Sequence, residues 1–257
     1  RVAPVADRYW NARGGSYTDG GSFVFTTTAA PQGALVCSDK FGGRIQHEVR
    51  RQPDYPVSLA VGHRPEDDAV DWPTLLEAAG ADAAFAQAER RMPEWDFDDL
   101  GAVLAQVVRW SASGDGARET ALGFLTLLRD HRVDPGDKKP SAIQAMADAA
   151  LVELFGAIPL CGTGNGELAR RVDWEHRGDL CDPPAGGPLL AVDTRGFPVE
   201  GDDSAARLLV AAYERGWRRF AVYACHGDRF IGCGFGPESE GVHIDVYGAS
   251  GDYLGSG

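Results

Sequence analysis

The chain has 257 residues, 44 % of them apolar and 25 % charged, with a net charge of −13, which suits a globular protein with a sizeable core. No apolar run approaches the roughly 20 residues needed to cross a bilayer and no secretory signal opens the chain, so no membrane partner and a cytoplasmic placement are expected. Basic residues are dispersed, with lysine only at Lys40, Lys138 and Lys139, and an acidic surface without a basic stripe argues against nucleic acid as a partner.

The first sixty residues read as β-like and rich in turns. Paired glycines precede a β-branched and aromatic run from Ser22 to Thr28, "PQG" turns the chain, and "ALVCSD" returns it as a hairpin. "YPVSLAVGH" reads as a further strand ending near His63.

From Pro73 the apolar period becomes helical. "WPTLLEAAGADAAFAQAERRM" has Pro73 in its first turn and Pro93 as its stop. Asp98 or Asp99 is expected to cap "LGAVLAQVVRW", whose stripe is Leu100, Val103, Leu104, Val107 and Val108. "ARETALGFLTLLRDH" follows with Leu122, Leu125 and Leu128, and "SAIQAMADAALVELF" begins after Pro140 with Ser141 as its expected cap. Four successive helices predict a helical layer, its apolar stripes read as core.

"CDPPAGGP" is rich in Gly and Pro and places a boundary near residue 185. Beyond it, "LLAVD" reads as a buried strand, and Asp203 or Ser204 caps the helix "SAARLLVAAYERG", which Gly216 stops. "RRFAVYA" is a strand, "CHGD" a tight turn, "RFIGCGF" its hairpin return, and "VHIDVYG" alternates again, giving the order β-α-β-β-β. The domain reading is a β-rich region over 1–62, a mainly helical one over 63–185, and 186–257 as the last unit, so the class is α+β.

Several stretches invite a chemical reading. A dinucleotide fingerprint needs a strand and then G-x-G-x-x-G opening a helix. Gly232, Gly234 and Gly236 read as lying within a strand, with Pro237 next and no helix after them. "CGTGNGELARRV" offers glycines spaced G-x-G-x-G and lacks the Gly-Lys-Ser/Thr of a P-loop, so a connecting loop is the simpler reading. Five cysteines (Cys37, Cys161, Cys181, Cys225, Cys233) form no C-x-x-C and read as reduced, mostly buried thiols. Cys37 with His47 ten residues on, or with His63, is the weak candidate for a thiol nucleophile and its base. Cys225 and Cys233 near His226 and His243 suggest a metal only superficially, because Cys225 and His226 are adjacent and read as a turn. The acids of "PEDDAVD" and "DFDD" fit no calcium-loop spacing and read as helix caps.

The stretch from about Leu189 to Gly257 resembles the opening of the GXGXG domain, which closes the large subunit of glutamate synthase. The residues that carry the resemblance are "LLAVDTRGF", "SAARLLVAAYERGWRRF", "AVYACHGDRFIGCGF" and "VHIDVYGASGDYLGSG". The resemblance implies that the β-α-β-β unit leads into the first rung of a right-handed β-helix, with Gly232, Gly234, Gly236, Gly248, Gly251 and Gly255 as structural glycines. Alternation of Val242, Ile244 and Val246 with His243, Asp245 and Tyr247 would supply one inward face per rung, and a single rung leaves an exposed edge.

In that family the domain is a scaffold between a glutaminase domain and a flavin domain. The resemblance therefore implies a non-catalytic assembly part, with those domains or subunits as partners and FMN and an iron–sulfur cluster held by a partner. The glutaminase nucleophile of the family is an N-terminal cysteine, whereas residue 1 here is Arg1, and no catalytic residue carries over. The alternative is a self-contained thiol-dependent or amidotransferase-like enzyme using Cys37. The absence of an initiating methionine and a stop inside a patterned segment predict a piece of a longer protein.

Overall fold

The computed structural model describes residues 70–163, 168–237 and 239–256, together with the backbone of residues 23–27 and 35–39. The chain divides into two compact units, Arg1–Tyr55 and Pro56–Gly257. In the first, β1 (Phe23–Thr27) and β2 (Leu35–Asp39) pair antiparallel, Phe23 opposite Asp39 and Thr27 opposite Leu35. These two strands lie on either side of "PQG" in the sequence; the residues between them, and the strand expected over "YPVSLAVGH", lie outside the described residues.

The second unit begins with four helices: α1 (Trp72–Arg91), α2 (Phe97–Ser111), α3 (Asp115–Asp130) and α4 (Pro140–Gly156). Their starts follow from local chemistry. Asp71 caps α1 by accepting from the Thr74 N–H at 3.3 Å, with Pro73 in the first turn. Asp96 and Asp99 form a reciprocal capping box on α2, each carboxylate accepting from the other's backbone N–H at 2.9 Å. The cap is thus Asp96 rather than the expected Asp98 or Asp99, with Asp99 serving as the third helical residue of the box. At α4, Pro140 opens the helix after Lys139 and no side chain caps it, so Ser141 is inside the helix. Gly80, at φ 82°, breaks α1 into two segments that the apolar period alone reads as one.

The helix stripes do form core. Leu100, Leu104, Val107, Leu125, Leu128, Leu151 and Leu154 are almost wholly buried. Trp72 closes one end, 5.7 Å from the Trp95 ring and 5.9 Å from that of Phe124. Lys138 is buried against the end of α1, where its ammonium donates to the Met92 carbonyl at 2.6 Å and to the Trp95 carbonyl. A lysine with its head on orphan helix carbonyls satisfies both charge and acceptors.

A four-stranded parallel sheet follows, in the order β3 (Arg170–Val172), β4 (Leu189–Asp193), β5 (Arg219–Asp228), β6 (His243–Ser250). The helix α5 (Ala205–Glu214), capped by Ser204 and ended before Gly216 at φ 104°, joins β4 to β5. Strand alternation sorts the sheet into two faces. Leu189, Ala191, Ala221, Tyr223 and Tyr247 pack into one core with α1–α4. Leu190, Val192, Phe220 and Val222, with Ile244 and Val246, pack with α5, Trp217 and the connecting segments. A parallel sheet covered on both faces explains why "LLAVD" is apolar at every position but its last.

Among the described residues the architecture is therefore five helices and a parallel sheet, mixed α/β rather than segregated α+β. Residue 185, expected as a boundary, falls inside the second unit, since the β3–β4 ladder spans it. Two further expectations are corrected. "CHGD" is not a turn: β5 runs through it, with β6 alongside to Ser250 across two register shifts. "RFIGCGF" is not a hairpin return, because Gly232, Gly234 and Gly236 sit at φ 80°, 87° and 76°, where a strand cannot continue. The chain curls there and comes back as β6, parallel to β5 and at the edge of the sheet.

The helical layer meets the sheet at Phe155, fully buried, whose ring lies 4.9 Å from that of Tyr223 and 5.1 Å from that of Tyr247. Phe155→Ala removes both ring contacts and leaves a cavity. It is expected to lower unfolding stability by about 3–5 kcal/mol, read as a lower urea midpoint with an unchanged slope.

Candidate functional site

Ligands in parallel α/β sheets gather beyond the carboxyl ends of the strands, and the polar side chains of this unit gather there too. β3 ends into Asp173, β4 into Asp193 and Thr194, and β5 into Asp228, the last three buried. The Asp193 carboxylate accepts from Arg195 Nε at 2.8 and 3.1 Å, from its Nη2, and from its backbone N–H at 3.1 Å. The Thr194 N–H continues the ladder by donating to the Tyr223 carbonyl at 3.1 Å. Burial and the nearby Asp193 charge push the Tyr223 hydroxyl well above the ordinary phenol range, so it is neutral at physiological pH.

The most chemically pointed group is in "VDWEH". Asp173 Oδ1 accepts from the His176 backbone N–H at 3.0 Å and from its ring Nδ1 at 2.7 Å, while Arg171 Nη1 donates to Oδ2 at 2.8 Å. Burial would raise the Asp173 carboxyl, but these hydrogen bonds outweigh it and hold the carboxyl below its ordinary value. A carboxylate that fixes one ring nitrogen leaves the other turned outward, which is half of a general-base unit. The other half is missing: among the described residues no hydroxyl or thiol bonds His176 Nε2. Trp174 closes the site beneath, in edge contact with Phe197 at 5.3 Å and with the Arg177 guanidinium over its ring at 3.6 Å.

A second feature is an open cleft of about 450 Å³ at the start of α5, lined by Asp202, Ser204, Arg207, Phe230, Cys233 and neighbouring glycines. Phe230 and Tyr253 stack in parallel at 5.1 Å on its rim, and Arg229 links Glu200 to Asp252 beside them.

Of the residues singled out from sequence, Cys37 lies in β2 opposite Phe25, while His47 and His63 are outside the described residues. Cys225 is buried in β5, its thiol pushed up to about 12 by burial and by the Asp228 charge. Cys233 donates its thiol to the Tyr253 carbonyl at 2.7 Å, away from Cys225. Among the described residues no three His, Cys, Asp or Glu side chains form a metal-holding group. The Asp173–His176 pair, an Asp and a His three apart directly after Val172, is not among the residues singled out from sequence. Cys161 and Cys181 were read only as isolated thiols; their sulfurs touch.

Two of the glycines singled out from sequence sit against backbone, whereas Gly236 and Gly255 have open space around them. A Cβ on Gly248, at φ 118°, would lie 2.5 Å from the Cys225 carbonyl oxygen, and one on Gly251 2.5 Å from that of Gly227. Both let the path after β6 nest against β5. Gly255 donates its N–H to the Ile231 carbonyl at 2.8 Å, and Phe230 to that of Asp252 at 3.1 Å, so the segment after β6 lies along the turn after β5.

No family model, no curated protein and no solved structure matches the chain. Among the described residues no helix is long and apolar enough to cross a membrane.

Two outcomes test these assignments. Gly248→Ala meets both backbone strain and a clash and should cost about 3 kcal/mol, against about 1 kcal/mol for Gly236→Ala, where φ is 76° and the space is open; thermal unfolding of the two variants ranks them. Because the folded Asp173 carboxyl is held low, its contribution is present above the unfolded value near ~4 and is lost as pH falls through the folded one. Asp173→Asn should therefore flatten the stability loss on the acid side of pH 4, as read by urea midpoints at successive pH values.

Proposed function

We propose that this chain is a non-catalytic assembly part of a glutamate synthase-related protein, with its last unit forming the opening of a GXGXG-type right-handed β-helix. The observation that carries the reading is the coil-like path of the sheet. Each strand pairs parallel with the next in sequence, and β5 passes to β6 without a helix. Phe220 pairs with Ile244, 24 residues on, and at the same interval Tyr223 is followed by Tyr247 and Gly227–Asp228 by Gly251–Asp252. Both tyrosine rings lie against Phe155, Tyr223 stacked and Tyr247 tilted, and the segment after β6 lies along the segment after β5. Two successive turns of one winding, repeating sequence as well as path, are what a solenoid rung requires.

On this reading the partners are a glutaminase domain, which releases ammonia, and a flavin domain, which carries FMN and an iron–sulfur cluster. The cluster does not fit this unit's own donors, because its described cysteines form one pair, Cys161 with Cys181, and two separate thiols. The role left to the chain is to hold partners in register through its rigid sheet, in the cytoplasm.

The test mixes the purified chain with separately purified glutaminase and FMN domains of glutamate synthase and follows sedimentation velocity. A faster-sedimenting boundary containing the chain and at least one domain at micromolar concentration is expected, with no glutamate released from glutamine by the chain alone. Independent sedimentation up to ~100 µM overturns the assembly role. Glutamine hydrolysis by the chain, abolished by Cys37→Ser, overturns it in favour of a self-contained amidotransferase.

A further inference from the structure

We propose that Cys161 and Cys181 are a modification site, a thiol pair that closes to a reversible disulfide and staples edge strand β3 to the connection leading into β4. The two Sγ atoms are 2.8 Å apart, with the Cys181 thiol donating to Cys161. Each cysteine is held by its backbone. The Cys161 N–H donates to the Arg171 carbonyl at 2.9 Å, which ties it to β3. The Cys181 carbonyl accepts from Trp217 Nε1 at 2.8 Å, and Trp217 is fully buried. Two thiols fixed from opposite sides of a small core, already in contact, need little backbone movement to bond. Cys225 and Cys233 differ: their thiols face the carbonyls of Val222 and Tyr253.

The pair is also asymmetric. Cys161 is buried and Cys181 partly exposed. Burial pushes the Cys161 thiol up to about 12, so it keeps its proton. Reaction with a small disulfide such as oxidised glutathione therefore begins at Cys181. The Cys181 thiolate attacks one sulfur of glutathione disulfide, forming a mixed disulfide and releasing one glutathione thiolate. That thiolate takes up the proton that Cys161 gives up, and the Cys161 sulfur attacks Cys181 Sγ and expels the second glutathione. The balance is two protein thiols and one glutathione disulfide to one protein disulfide and two glutathiones.

The closed loop contains β3 and the Asp173–His176 pair, so oxidation would lock the edge of the sheet that carries the best-formed polar group of the unit. A loop of this size is enough to stiffen the unfolded chain appreciably.

The experiment incubates the reduced chain with oxidised glutathione and follows intact mass, a non-reducing tryptic map and thermal unfolding. Trypsin cuts at Arg170, Arg171 and Arg177, so a bond between the two cysteines joins otherwise separate peptides. Expected are a loss of two hydrogens, a linked Cys161–Cys181 peptide pair, and a Tm higher by about 5–10 °C that dithiothreitol reverses. Cys161→Ser should stall with one glutathione on Cys181, and Cys181→Ser should leave Cys161 unmodified. A stable glutathione adduct in the wild-type chain without a cross-link, or a cross-link to a different cysteine, overturns the proposal. So does a Cys161–Cys181 bond that leaves Tm unchanged, since the staple would then hold nothing. If a variant fails to fold, the wild-type peptide map decides by itself.

Discussion

Phe155 sits where the last helix of the bundle meets the sheet, with Tyr223 and Tyr247 of neighbouring parallel strands against its ring. Parallel strands expose two apolar faces, and neither tolerates water. Here one face is covered by the four-helix layer through this aromatic contact, and the other by α5 and the connections between strands. Remove the contact and β6, an edge strand, loses its aromatic hold on the helical layer. The burial of Tyr247 against Phe155, and the bond between its hydroxyl and Thr126 Oγ1 at 3.1 Å, anchor that edge to α3 and α4.

This anchoring gives the glycines their meaning. The chain after β5 curls through Gly232, Gly234 and Gly236, returns as β6, and then follows the same curl again at Gly251 and Gly255. Side chains at Gly248 and Gly251 would collide with the preceding turn. Their absence allows the two turns to nest, which is a backbone-to-backbone requirement. Phosphate binding, which the glycine spacing first suggests, would need a helix N-terminus after the cluster, and a strand stands there instead.

The polar residues at the carboxyl end of the sheet share a different logic. Asp193 and Asp173 are each neutralised by an arginine two residues away, Arg195 and Arg171, so each buried or half-buried charge is offset within its own loop. Such local pairing keeps the strand ends rigid without committing them to catalysis. The Asp173–His176 pair is oriented by its own carboxylate, and among the described residues no hydroxyl or thiol bonds the far ring nitrogen. The thiol pair lies at the opposite end of β3's loop and would tune the same edge by covalent closure.

The sequence alone determined what depends on neighbours within one helical turn. An acid of "PEDDAVD" and one of Asp203 or Ser204 as caps, Pro73 in a first turn, Gly216 as a stop and the apolar stripes of α2 and α3 all follow from bonds or contacts between residues a few places apart. Even there, the apolar period does not show the break at Gly80, whose φ of 82° lies outside the helical region. Tertiary structure alone decided the parallel register of β5 with β6, the path of "RFIGCGF", the covering of Tyr247, and the meeting of Cys161 with Cys181. A strand's alternation says that it has two faces, but not which neighbour lies beside it or in which direction. A pair of cysteines twenty residues apart is silent until the chain between them is folded. Those contacts are non-local, and only the closed core on both faces of the sheet selects them.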